Sequence, residues 1–156
     1  MSHPILLSSI STREAAVDPI YRFANGIDDN DRELLESSLV EGKDTAFNVM
    51  GGRSVEGMDA IKEYIYTKVM PLHTTHNITN VRLDLKDGAD TAYMTATALV
   101  YHYKPEDAFL PDKKAFVTSS NYYVDIVKDD SDGLWKIKKL TLKLRWTEGE
   151  RSVISG

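Results

Sequence analysis

Hydrophobic positions recur every three to four residues through the first half of the chain and every second residue through the second half. Ala15, Ala16, Ile20, Phe23, Ala24 and Ile27 fall at helical spacing. Ser11 or Thr12 followed by Glu14 reads as the start of this helix, with Asp18-Pro19 as a second start or a kink. Gly26 and the polar run DDND break the pattern, and Asp31 is placed to cap a second helix carrying Leu34, Leu35 and Leu39. A short apolar run, TAFNV, and a glycine-rich loop, MGGRSVEG, lead into a third amphipathic helix, MDAIKEYIYTKVM, closed by Pro71. The period then changes. HNITNVRLDL, DTAYMTATALVYHY, KAFVTSSNYYVDIVK and LWKIKKLTLKLRW are rich in β-branched and aromatic residues and are joined by segments with turn chemistry. Three helices followed by a meander of long antiparallel strands predict an α+β fold whose sheet curls around the helices. The open end of such a cone is a natural small-molecule pocket.

Strand alternation sorts the side chains. In the second long strand Ala92, Met94, Ala96, Ala98, Val100 and His102 share a face. These small residues are expected to line a cavity with His102 at its end. In the third strand Val117, Ser119, Asn121 and Tyr123 share a face, so Ser119 and Asn121 point the same way. The opposite parity, with Tyr93, Leu99, Tyr101, Tyr122, Val124 and Ile126, is expected on the outside. Such an apolar outer face predicts a homo-oligomer, dimer or trimer. His76, in the stretch TTHNIT, falls by strict alternation on the polar face with Asn80, Arg82 and Asp84. A bulge near Thr79–Asn80 would turn it inward, and periodicity alone leaves both placements open.

Composition narrows the chemistry. A chain of 156 residues is long enough to bury a sizeable core, and it reads as one domain, 1–156. It has no cysteine, which excludes disulfides, thiolate metal sites and cysteine nucleophiles. Its net charge of −5, with scattered lysines, argues against nucleic acid as a partner. No run has the apolar length to cross a bilayer, and the N-terminus lacks a basic region ahead of its short apolar stretch, so the expectation is a cytoplasmic protein without membrane partners. His73 and His76 point to opposite strand faces, which argues against zinc. The GGRS loop lacks the lysine of a phosphate-binding loop.

YRFANGIDDNDRELLESSL, TTHNIT, VYHY, SSN and GLWKIKKLTLKLRW occur in this order. Together they resemble the scytalone dehydratase family, within the nuclear-transport-factor-2-like (NTF2-like) fold that also includes SnoaL-type polyketide cyclases. The resemblance covers residues 12 to 147. It implies a cone of three helices packed in a curved mixed β-sheet, with the active site inside. It also implies that Asp28, His76 and His102 are catalytic and that Ser119 and Asn121 form the pocket's Ser-x-Asn pair. Ile27 and Phe47 stand where the family enzyme has two tyrosines that hold a water against the substrate carbonyl.

Histidine titrates near neutrality, so two rings facing one space suit proton transfer to and from carbon. Asp28 is expected to fix the tautomer of one ring, Ser119 to orient the other, and Asn121 and Tyr123 to contact substrate. Phe23 and Phe47 would form apolar wall. The expected function is a cofactor-independent dehydratase, cyclase or isomerase acting on a polyketide- or terpenoid-derived carbonyl compound. Taken singly the same residues read more simply: Asp28 as a helix cap, the histidines as polar strand ends, Ser119 and Asn121 as a wet face. A non-catalytic binding or assembly module of the same fold is one alternative. Epoxide hydrolysis, with Asp28, Arg32 and Asp84 as its sparse carboxylate–arginine set, is another.

Overall fold

The computed structural model describes residues 3–155. Helix α1 runs Thr12–Asp28 and α2 Arg32–Ser37; strands β1 (Ala46–Asn48) and β2 (Ser54–Glu56) precede α3 (Met58–Lys68); the long strands β3 (His73–Asp84), β4 (Thr91–Tyr103), β5 (Phe116–Lys128) and β6 (Trp135–Gly149) follow. A single 3-10 turn, Arg151–Val153, ends the described chain. The six strands form one sheet in the order β2-β1-β6-β5-β4-β3. All neighbours are antiparallel except β1 and β6, which are parallel, so the sheet is mixed. The three helices and this curved sheet make the expected α+β, NTF2-like cone. Among the described residues no helix is long and apolar enough to cross a membrane.

Local chemistry explains the helix ends. Ser11 caps α1 by accepting from Glu14 N at 3.2 Å, while Glu14 accepts from Ser11 N at 2.6 Å, a reciprocal pair that contributes about 1 kcal/mol. The helix continues through Pro19 rather than restarting there. Gly26 does not break it either. A Cβ at this position would stand 2.6 Å from Leu35 N, so the glycine is what lets α1 and α2 touch backbone to backbone. Asp31 caps α2 as expected, accepting from Leu34 N at 3.0 Å. The helix ends before Leu39, because the Ser37 and Ser38 hydroxyls donate back to the carbonyls of Leu34 and Leu35. Leu39 instead bridges to Ile137 of β6. Arg22, 3% exposed, ties these pieces together by donating to Asp18, to the Ser37 carbonyl and hydroxyl, and to the Trp135 carbonyl.

The segment read as a plain glycine-rich loop contains a strand, because Gly51 and Gly52 at positive φ close a β1–β2 hairpin. Within β4 the small face does point inward, yet Met94, Ala96 and Ala98 are filled over by the core that includes Ile20 and Phe23. Only Val100 and His102 reach open space. On β5 the expected parity is reversed. His102 pairs with Phe116, Val100 with Thr118, Ala98 with Ser120 and Ala96 with Tyr122, so the even-numbered residues share the concave face. Tyr122, Val124 and Ile126 are buried inside at 3%, 0% and 1% exposure, not displayed outside. The aromatic groups exposed on the convex side reduce to Tyr93, Tyr101 and Trp146, which narrows the sequence argument for self-association.

Candidate active site

The concave end of the sheet encloses a cavity of about 310 Å³. Phe23 and Ile27 of α1, Phe47 of β1, and Leu140 and Leu142 of β6 form apolar wall. Phe23 and Phe47 meet edge to face, with ring centroids 5.5 Å apart. Ile27 and Phe47 therefore do line the site, as hydrocarbon. Ile154, just past the 3-10 turn, also lines the cavity. That return is possible because Gly149 has φ of 89°, and a Cβ there would lie 2.0 Å from the Ala115 carbonyl oxygen.

His76 enters this cavity by way of a bulge. The β3–β4 register shifts between Thr79 and Arg82, and Asn80 sits at φ of 52° within the shift. Before the bulge Thr74, His76 and Ile78 face inward; after it Leu83 does, opposite Met94. One extra residue thus reconciles the polar parity of TTHNIT with an inward imidazole. Asp28, the last residue of α1, receives three hydrogen bonds from β3. Its Oδ1 accepts from His76 Nδ1 at 2.6 Å and from the Thr74 hydroxyl at 2.7 Å, and its Oδ2 from the His76 backbone N–H at 2.7 Å. Burial pushes the Asp28 carboxyl up, but the hydrogen bonds and charge of His76 and the Thr74 hydroxyl outweigh it and hold the group below the ordinary carboxylate value. The His76 side chain is only 6% exposed, and with Nδ1 engaged its Nε2 is the nitrogen left for the cavity.

His102 lies diagonal to His76 on the same face, since His76 pairs with Val100 and His102 with Thr74. Its Nδ1–H donates to the Phe116 carbonyl at 2.9 Å, so Nε2 is again the free nitrogen. The backbone, not Ser119, orients this ring. Burial pushes the His102 imidazole below its ordinary value; the Phe116 carbonyl opposes that, and the neighbouring His76 adds to it. His102 is thus a neutral acceptor at neutral pH, one coupled electrostatically to its neighbour.

Of the sequence-named residues, Asp28, His76, His102, Phe23 and Phe47 converge on this site. Ser119, Asn121 and Tyr123 do not: their parity places them on the convex face, away from the cavity. Thr118, Ser120 and Tyr122 take their place. Ser120 is 2% exposed and its hydroxyl has no hydrogen-bond partner, a situation that costs about 1–3 kcal/mol unless a ligand answers it. Burial, reinforced by the Asp28 charge, pushes the Tyr122 phenol above its ordinary value, so it stays protonated and able to donate. The signal for this parity was present in the sequence. Asp125 shares a face with Ser119 and Asn121, and Phe116, Val124 and Ile126 share the other.

The SnoaL-like domain matches residues 8–141. The terrestric acid biosynthesis cluster protein E of Penicillium crustosum is 34% identical over 148 residues, covering 95% of this chain and 92% of that protein. Among solved structures, a type 2 hexachlorocyclohexane dehydrochlorinase (LinA) superposes with a TM-score of 0.73 at 19% identity, over 91% of this chain and 90% of that one. A candidate scytalone dehydratase from Novosphingobium aromaticivorans superposes with a TM-score of 0.71 at 22% identity, over 89% and 87%. At these identities the two structural likenesses establish the fold alone.

Proposed function

The chain belongs to the SnoaL-like domain family, and from that premise we propose that it is a cofactor-independent acid–base enzyme of secondary metabolism, a dehydratase, cyclase or isomerase acting on a carbonyl compound. The observation that carries this reading is the Asp28–His76 pair, 2.6 Å long and buried beside a second imidazole. A carboxylate on Nδ1 fixes the ring's tautomer and steadies the positive charge that arrives when Nε2 takes a proton. The relative from a biosynthetic cluster, similar along nearly its whole length, supports the setting in secondary metabolism.

In the proposed cycle His76 Nε2 removes a proton from the carbon next to the substrate carbonyl. Tyr122 and Ser120 donate to the oxygen that gains charge, a role the apolar Ile27 and Phe47 cannot fill. His102, neutral and tied through Nδ1, accepts from a substrate hydroxyl and holds it in place. His76 then returns its proton, to a leaving hydroxyl in a dehydration or to carbon in an isomerisation. In a ring closure the same enolate attacks a second carbonyl, and the proton goes to the new alkoxide.

The test begins with deletion of the gene in its native host and isolation of the compound that accumulates. Purified protein is then given that compound in heavy water. The expected result is conversion at a rate that collapses in His76→Ala, with deuterium on carbon if the reaction is an isomerisation and net loss of the hydrogen next to the carbonyl if it is a dehydration or a ring closure. Conversion at full rate by that variant, or binding without conversion, would favour the binding-module alternative.

A further inference from the structure

The charged side chains that line the cavity wall are of one sign, because the Asp28 carboxylate is turned onto His76 and Thr74 and does not line it. Although the chain carries 24 acidic and 19 basic residues, no Asp or Glu lines the cavity, whereas Arg53 and Lys68 both do. Neither cation forms an ion pair with a carboxylate within 4.0 Å among the described residues. Their placement follows from the local fold. The two-glycine turn of the β1–β2 hairpin is closed by the Val49 N–H on the Arg53 carbonyl at 2.9 Å, which sets Arg53 at the rim. Its guanidinium carbon stands 5.2 Å from the centroid of the Tyr64 ring. Lys68 follows Tyr64 by one turn of α3, on the same helical face, and both line the cavity. Arg53, Tyr64 and Lys68 therefore form a cationic rim, the histidines lie deeper on the sheet, and hydrocarbon lies between.

We propose that the substrate is an organic anion whose negative group, such as a carboxylate, sits at Arg53 and Lys68 while its apolar body fills the cavity. This rests on the reading of the cavity as the substrate site and adds the substrate's charge to it. Both cations are exposed and solvated, so a neutral substrate would gain nothing from them. An anionic one is drawn in by them and held with its reactive end toward His76.

The test uses two fluorescent probes that differ by one sulfonate: 8-anilinonaphthalene-1-sulfonate and neutral N-phenyl-1-naphthylamine. The wild-type protein should bind the anion about tenfold more tightly at low ionic strength. That preference should shrink at about 0.5 M salt, where charges are screened beyond a few ångströms. In the double variant Arg53→Gln/Lys68→Gln the preference should vanish while the neutral probe binds within about twofold of wild type. Equal binding of the two probes by wild type, failure of the anion to bind, or a preference that survives in the variant would overturn the proposal. Probe binding requires no turnover. A protein that showed the charge preference without proton transfer would keep this inference and lose the enzymatic one, and the reverse outcome would do the opposite.

Discussion

His76 is anchored through Nδ1 to a carboxylate brought in from α1, whereas His102 is anchored through the same atom to a backbone carbonyl of its own sheet. Both bonds select the Nδ1–H tautomer and leave Nε2 for the cavity. They differ once a proton arrives. The carboxylate answers a positive charge on the ring, and the carbonyl, a fixed dipole in a buried setting, answers it only weakly. Two chemically identical side chains on adjacent strands are thereby set in different electrostatic surroundings, one against a carboxylate and one against a backbone dipole.

The largest effect should come from removing the difference at its source. Asp28→Asn leaves the shape of the side chain but withdraws the charge, and by analogy with other carboxylate–histidine pairs turnover should fall about 10³- to 10⁴-fold. His76→Ala should be about as damaging, and the double variant little worse, because the two act as one unit. Steady-state rates for the three proteins test this, with thermal melting to confirm that each is folded. Losses that multiply would show that Asp28 and His76 act separately.

His102 can be tested without a substrate. Its imidazole is held below the ordinary value of 6.5 in the folded chain, so the unfolded chain binds the proton more readily. Stability should therefore fall as pH drops below about 6.5 and level off once the folded-state value is passed. Asp28 is lowered from 3.8, so its stabilising contribution is present above that value and is lost only at more acid pH. Urea unfolding at pH 7 and pH 5 should thus show a wild-type loss that His102→Asn reduces, since the amide keeps a donor for the Phe116 carbonyl and has no proton to gain. An unchanged pH slope in the variant would mean that the carbonyl-anchored ring is not the neutral partner. The same variant should lower turnover about 10²-fold, less than Asp28→Asn.

How far these assignments were visible in the chain depends on what each residue needed. Element types and order followed from periodicity, and the Ser11, Glu14 and Asp31 caps from local chemistry, because both signals are contained within a few residues. The convergence of Asp28, His76 and His102 was suggested by a family likeness; no local rule brings a helix C-terminus onto a strand that begins 45 residues later. His76 showed the limit of alternation most clearly. Strict alternation points it outward, and only the bulge at Asn80 reverses that. For β5 the failure was of a different kind. Both parities contain residues that suit a pocket; the family likeness favours Ser119 and Asn121, whereas Asp125 on that face argues for the other. Register with β4 decides such a case, and register is a property of two strands that neither one carries alone.

The smallest expected effect sharpens the same point. Ser120→Ala removes a buried hydroxyl that has no protein partner, so the free protein should be as stable as wild type or slightly more so. Its loss should appear with substrate, as a roughly tenfold fall in kcat/KM, the equivalent of one hydrogen bond of about 1.4 kcal/mol. Asn121→Ala, one residue along but on the convex face, should leave kcat/KM within about twofold. Measuring the pair side by side separates the two faces of a single strand. If Asn121→Ala proved the more damaging, the convex face would have to take part in the reaction, and a cavity between the two differently anchored histidines would not be the whole site.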